Sequence, residues 1–428
     1  MDGVSGIKTG ATNGETNGGA HSGVDRRGFL QQAAGFAAAA AIVPSLSAAT
    51  GRFSAPVRVG IIGCGRQGRA IIAELGSFPD VEVAAICDTE PRRLRAGGRR
   101  TRGATQYDSH TAMLESERLD AVFVATPTHL HRGPATDALA AGVNVYCEAP
   151  LAHTAEDARA IAAAARGSGK VFQAGFNARA NPVYQLARTF FVSDAVRRLA
   201  AMEAVRARKT TWRTPTNNPE QDRALNWRLY PDVSTGLAGE WGSHQFDVFH
   251  WYTGRYPESI QGMGSVRLHE DGREVADSIK LMMKFPGGAG LGYTATLANS
   301  YEGMHEILRG ENAAIKLSWS HGWMFKEADA PTQGWEVYAN RQQFHNDEGI
   351  TLIAGATQLA EQGKLKDGVG LPHSALWYGV ESFLKSVTEG AAVTCSADEG
   401  VRATIVGIKA NEAVLSGETV RIDPSELS

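Results

Sequence analysis

The chain has 428 residues, 43% of them hydrophobic, enough apolar material for packed cores in two or three domains. A formal net charge of -3 gives no general attraction to nucleic acid, and no apolar run is long enough to span a bilayer in a mature chain. The four cysteines, Cys64, Cys87, Cys147 and Cys395, lack metal-type spacing and read as small buried hydrophobes, so no metal site is expected.

Residues 1–24 are rich in Gly, Asn, Ser and Thr without apolar periodicity, which predicts disorder. Arg26 and Arg27 then precede a mildly apolar, Ala-dominated stretch over 29–43, and Ser47-Ala48-Ala49 supplies small residues for cleavage. This order of parts resembles a twin-arginine (Tat) export signal, so residues 1–49 are expected to be a leader and the folded protein periplasmic or extracellular. The alternative is an Ala-rich helix capped by two arginines.

The run 57–62 has the composition of a buried parallel strand and leads directly into Gly63-Cys64-Gly65-Arg66-Gln67-Gly68 and a helical stretch over 69–75. Asp88 closes the next strand, 81–87, twenty residues after Gly68. In this context Gly63 permits the tight turn, Gly65 admits a pyrophosphate to the backbone, and Gly68 lets helix and strand approach. Asp88 is placed to accept from ribose hydroxyls and would repel a 2′-phosphate, which favours NAD. Arg92, Arg93, Arg95, Arg99, Arg100 and Arg102 follow it; they read as a solvated helix face, with a 2′-phosphate site, hence NADP, as the alternative.

Strands at 119–125, 143–147 and 170–175 alternate with helices at 135–141 and 155–166, which predicts a doubly wound parallel sheet over 50–178. Ligands bind at the C-terminal ends of such strands, where Thr126-Pro127-Thr128-His129-Leu130-His131 and Glu148-Ala149-Pro150 fall.

Strand patterns then recur at 199–208, 259–268, 277–285, 291–298, 305–309 and 314–319, with turn signals at 286–288 and 310–312. They predict an α+β domain over 179–428 on an antiparallel sheet, with helices at 185–191, 240–252, 375–388 and 398–415. Residues 209–239, containing Trp212-Arg213 and Asn226-Trp227-Arg228, read as a long functional loop. Residues 320–371, with Trp323 and Trp335, read as an irregular insertion that walls a cleft or makes a subunit contact. On the 240–252 helix, Glu240, His244 and Asp247 share one face by their spacing of four and three. A histidine there can take a hydroxyl proton near neutral pH, and a neighbouring carboxylate would fix its tautomer. The alternative is a solvated helix face with an incidental histidine.

These residues resemble the glucose–fructose oxidoreductase / inositol dehydrogenase (Gfo/Idh/MocA) family. The likeness rests on the 63–68 loop, Thr126-Pro127 with His131, Glu148-Ala149-Pro150, Gly175-Phe176-Asn177-Ala178-Arg179 and Glu240-Trp241-Gly242-Ser243-His244-Gln245-Phe246-Asp247. It implies an open, largely antiparallel sheet covering a nicotinamide, action on sugars, cyclitols or related polyols, and homo-oligomers paired through that sheet. It also implies His244 as base with Glu240 as its orienter or substrate anchor. The cofactor would be held by Gly63, Gly65, Arg66, Gln67, Gly68, Asp88, Thr126, Pro127, His131, Glu148, Ala149 and Asn177, and the substrate by Arg179, Arg213, Arg228 and Asp247. Two positions depart from the family pattern: Ala149 stands where the family has lysine, and Glu240 where it has aspartate. Without the lysine, two other activities stay open. One is redox-neutral glycoside cleavage through transient oxidation and elimination; the other is non-catalytic binding of a dinucleotide or sugar. Because the resembled export route carries folded proteins, NAD would be loaded before export and held tightly.

Overall fold

The computed structural model describes residues 53, 56–333, 336, 339, 341–344, 347–354 and 370–427. The expected export signal over 1–49 and Trp335 lie outside the described residues.

Six short, apolar strands form the first sheet: β1 (Val57–Ile62), β2 (Val81–Cys87), β3 (Thr105–Tyr107), β4 (Ala121–Val124), β5 (Asn144–Cys147) and β6 (Phe172–Ala174). All are parallel, in the order β3-β2-β1-β4-β5-β6, with the chain reversing direction across the sheet between β1 and β4. Continuous burial along β4 follows from its coverage on both faces by helices. The intervening helices are α1 (Arg66–Leu75), α2 (Pro91–Gly98), α3 (His110–Ser116), α4 (Arg132–Ala140) and α5 (Ala155–Ser168). The sequence reading gives the region of α2 only as an arginine-rich solvated helix face without bounds, and the helix ends at Gly98, short of Arg99, Arg100 and Arg102; β3 and α3, both short, are not assigned by it.

After α6 (Pro182–Val192) the chain enters a ten-stranded sheet through β7 (Leu199–Ala207). The helix α7 (Pro219–Leu225) lies in the long loop, and α8 (Ser243–Thr253) follows a wide π-type turn at Ala238–Gly242. The remaining strands are β8 (Ser259–Ser265), β9 (Ser278–Lys284), β10 (Gly290–Thr296), β11 (Met304–Gly310), β12 (Ala313–Ser318), β13 (His321–Lys326), β14 (Arg341–Phe344) and β15 (Asp347–Thr351), then β16 (Val420–Arg421) at one edge. Every pairing is antiparallel except β7 with β10. Strand β9 shows why the sheet is one-sided: Ile279, Leu281 and Met283 are buried, while Lys280, Met282 and Lys284 face out. The region read as an irregular insertion instead supplies β13, β14 and β15; the last two are too short and polar to announce themselves.

Two C-terminal helices lock the sheets together. Helix α10 (Ala397–Ser416), started by a Ser396/Glu399 capping box and ended by Gly417 at φ 71°, packs on β8 and on α5. Helix α9 (Ala375–Glu389) leaves the second domain and covers the first sheet. Its Trp377 stacks on Phe78 at 5.1 Å and donates to Ser77 Oγ at 2.7 Å, while Phe383 meets Phe123 edge-on. The simple division at 178/179 is therefore crossed: the first domain's core is completed by a segment from near the end of the chain. All four cysteines are buried and free.

Candidate active site

The strands β1, β4 and β5 are neighbours, so the loops after their C-terminal ends meet at the floor of a cleft of 1420 Å³ roofed by the second domain. Gly63 opens the first loop at φ +99°, where a Cβ would sit 2.6 Å from the Ala125 carbonyl oxygen. A Cβ on Gly68 would lie 1.8 Å from the Gly63 carbonyl oxygen, so α1 closes on the loop only across a hydrogen atom. Gly65 is different. A Cβ there would meet nothing within 4 Å, leaving open space above the N-terminus of α1. Helix N-terminal amides facing open space suit a diphosphate. Thr126 Oγ1 is likewise buried without a partner among the described residues, and it borders the same cleft. Both features fit a dinucleotide.

Asp88 takes the Cys64 amide at 2.7 Å and the Glu90 amide at 2.8 Å, one on each carboxylate oxygen. It thus anchors the glycine loop to the end of β2, and each oxygen keeps a lone pair for a ribose hydroxyl. Of the six arginines after it, only Arg93 lines the main cleft; Arg69, Arg92, Arg93, Arg99 and Arg100 surround a separate surface depression.

Gln67, on the glycine loop, donates to Glu148 at 3.0 Å and ties the loops after β1 and β5 together. Burial pushes the Glu148 carboxyl up to about 7, against the pull of that hydrogen bond. Asn177 Oδ1 accepts from the Tyr146 hydroxyl at 2.8 Å at the cleft wall, and the Ala149–Pro150 bond beside it is cis.

His244 stands half-buried in the cleft on the first turn of α8, its ring 5.4 Å from that of Phe176. Burial, then the positive charge of Arg206, push its pKa down to about 3, while the Ala149 backbone carbonyl opposes them as an acceptor. The imidazole is therefore neutral at physiological pH, with a ring nitrogen able to receive a proton.

Residues 57–176 match the oxidoreductase family, NAD-binding Rossmann fold, and residues 195–316 match the GFO/IDH/MocA C-terminal domain. The chain belongs to the GFO/IDH/MocA oxidoreductase family. Levoglucosan dehydrogenase of Pseudarthrobacter phenanthrenivorans is 23% identical over 388 residues, covering 82% of this chain and 94% of that one. Myo-inositol 2-dehydrogenase of Thermotoga maritima is 22% identical over 369 residues, covering 86% and 99%. The solved levoglucosan dehydrogenase complex with NADH and levoglucosan superposes with a TM-score of 0.68 at 20% identity, over 86% of this chain and 99% of that one. The first domain is thus an NAD-binding domain of this family, and the fold of both domains is shared with its solved members.

Several residues that the GFO/IDH/MocA resemblance assigns to ligands have other work in this structure. Arg179 and Asp247 do not face the cleft. They form a fully buried two-pronged pair at 2.8 Å and 2.8 Å, with side chains 2% and 0% exposed, and Arg179 also meets Glu399 at the start of α10. Arg213 does line the cleft, but Asp222 at 2.9 Å and Asp271 at 3.3 Å hold its guanidinium, so it braces the long loop. His131 is 2% exposed, with Nε2 3.0 Å from the Thr126 carbonyl and Nδ1 3.1 Å from that of Pro150. The neutral ring carries one N–H and donates to one of these carbonyls at a time, and both nitrogens are turned to the two cofactor-side loops and not to a ligand.

Glu240 does not orient His244. The wide turn at Ala238–Gly242 changes the phase expected of a regular helix, and the carboxylate points elsewhere. It accepts from Thr128 Oγ1 at 3.3 Å, Thr235 Oγ1 at 3.1 Å and Arg228 Nε at 3.3 Å, which joins the two domains at the cleft. Arg228 remains at the cleft wall, stacked 4.3 Å over Trp227.

Sequence reasoning missed Arg206. It follows Met202 and Ala204 on one face of β7, so a charge occupies a position whose predecessors are buried. That break in a period-two pattern was the available signal.

Proposed function

We propose that this protein is an exported oxidoreductase that oxidises a secondary alcohol of a sugar, cyclitol or related polyol with tightly held NAD. The observation that carries the reading is that His244 and the glycine loop line one cleft, and burial, which lowers the His244 pKa, suits the imidazole to act as a base there. Bound NAD supplies the two-electron acceptor for the alcohol C–H. The amides at the start of α1 hold its diphosphate, Asp88 accepts from its ribose, and Thr126 and Glu148 border its inner end. His244 takes the hydroxyl proton as the carbonyl forms, since burial and Arg206 keep its nitrogen unprotonated beforehand. Glu240, paired with Arg228 in the roof, ties the roof to the floor by accepting from Thr128. The names of the relatives, levoglucosan dehydrogenase and myo-inositol 2-dehydrogenase, agree with this substrate class.

The test is to denature purified mature protein, identify the released nucleotide, and follow reduced-nicotinamide fluorescence while a sugar and cyclitol panel is added. Release of NAD and its reduction by a panel member, lost in His244→Ala, is expected. A protein that neither carries nor takes up a dinucleotide would overturn the reading. Easy loss of NAD on gel filtration would overturn the tight-binding part alone. Export is tested by changing Arg26→Lys together with Arg27→Lys, which should retain the precursor in the cytoplasm. Exposed Met263 and Met282 on the outer side of the second sheet support pairing of two copies there, to be checked by light scattering.

Ala149 supports a second reading, because the family's usual cation is absent at that place. Oxidation of a ring hydroxyl acidifies the adjacent C–H, elimination expels an aglycone, water adds, and the electrons return to the sugar. A relative named glycosyl hydrolase family 109 protein, from Shewanella amazonensis, is 32% identical over 161 residues, 35% of its length. Cleavage of a chromogenic glycoside without added NAD would favour this form. If neither activity exists and Ala149→Lys creates dehydrogenase turnover, the natural protein is a binding protein.

A further inference from the structure

We propose that the substrate is a sugar acid, with Arg206 receiving its carboxylate. This rests on the sugar-oxidoreductase reading above and narrows its substrate class. Arg206 reaches the cleft from β7 with its guanidinium 4.8 Å from the centre of the Trp241 ring. Its one hydrogen bond is a long one, 3.5 Å to the Trp241 carbonyl, and no carboxylate stands within ion-pair distance among the described residues. Five N–H donors are thus almost entirely unspent. The other two arginines of the roof are matched: Arg213 by Asp222 and Asp271, Arg228 by Glu240.

Burial makes this cation costly as it stands: desolvation is the largest influence on it, Tyr293 and Glu306 offset part of that, and Arg208 and Arg66 add repulsion. Glu306 behind it accepts from the Tyr184 hydroxyl at 2.6 Å and Gln245 at 2.8 Å, and burial raises its carboxyl to about 7, so it is a weak counter-charge. A half-buried guanidinium with no ion-pair partner among the described residues, open on its cleft side, is stabilised by an anion that arrives with the ligand. The cofactor's diphosphate is not that anion. It is served by the amides of the 63–68 loop, with Arg66 on the same loop, whereas Arg206 belongs to the opposite domain and acts on His244. A planar carboxylate matches the planar guanidinium through two parallel hydrogen bonds. Bound this way, the acid would hold the sugar beside His244 at the end of the cleft where Ala149 leaves no cation.

The experiment is calorimetric titration of NAD-loaded protein with matched pairs: glucose and glucuronate, galactose and galacturonate, and methyl glucoside and methyl glucuronoside. Glucose 6-phosphate is a further arm, and reduced nicotinamide is followed in parallel. The acid of at least one pair should bind about tenfold or more tighter than its neutral partner, the scale of one charge-assisted pair. The preference should shrink with salt, fall to within about twofold in Arg206→Gln, and survive partly in Arg206→Lys, which keeps the charge. Equal or tighter binding of every neutral partner, binding of no pair member, stronger binding of the phosphate than of any acid, or a preference that survives Arg206→Gln would overturn the proposal. So would an Arg206→Gln variant that loses affinity for NADH instead. The two readings separate cleanly: neutral sugars that reduce NAD with no acid preference leave the oxidoreductase standing and remove the sugar acid. An acid preference without NAD reduction does the reverse.

Discussion

Acidification tests the state of His244 directly. An exposed imidazole in the unfolded chain protonates near pH 6.5, whereas the folded residue, held near 3 by burial and by Arg206, stays neutral until much lower pH. A depressed folded pKa means that the stabilisation is complete above pH 6.5 and is lost as pH falls toward 3. At pH 4.5 the unfolded state carries the proton and the native state does not, which costs about 3 kcal/mol relative to pH 7.5. Urea unfolding of the wild type and of His244→Gln at these two pH values should show the variant losing about 3 kcal/mol less over the interval. His131, pushed down to about 4 by burial, contributes to both proteins and cancels in the comparison. Ring-nitrogen NMR shifts on the same samples should show His244 without a transition between pH 5 and 8. Identical losses in the two proteins, or an imidazole titrating near 6.5, would refute both the burial argument and the neutral-base assignment built on it.

Glu148 has the opposite sign: its folded pKa of about 7 lies above the unfolded value, so its ionisation costs stability as pH rises from about 4.5 through 7. Glu148→Gln should therefore gain about 2 kcal/mol more over wild type at pH 8 than at pH 5, measured by urea midpoints; a pH-independent difference would contradict this. Gly65→Ala should fold normally, because its Cβ meets no protein atom, yet weaken NADH binding at least about tenfold by fluorescence titration. Gly68→Ala should disrupt the loop itself, and equal behaviour of the two variants would count against a diphosphate over α1. Asp247→Asn strands part of a buried ion pair and should cost about 3 kcal/mol without altering the ranking of substrates. A fully stable variant with a raised KM would return Asp247 to the substrate site.

The cofactor domain was legible because its determinants are local. A strand, a glycine loop and a helix are contiguous in 57–75, and the roles of Gly63 and Gly68 depend on backbone geometry within a few residues. The hairpins of the second sheet were readable for the same reason: Gly287 and Gly288 take positive φ at the turn expected from Pro286-Gly287-Gly288. His244 also stood out, from its spacing on an apolar helix and from the family resemblance.

What the chain order could not reveal was which charges would find each other. Arg179 and Asp247 are 68 residues apart and cancel in the interior, while Arg206 is left without a matching acid at the cleft. The wide turn before α8 redirects Glu240 away from His244, and α9 crosses back to seal the first sheet. Sequence alone determined the doubly wound first domain and its dinucleotide loop, because short-range periodicity and turn chemistry encode them, while the family and the interest of His244 came from resemblance in motifs. Only the tertiary structure decided which ionisable side chains are paired and which face the ligand, because desolvation and Coulomb energy depend on distances through space between segments far apart in the chain.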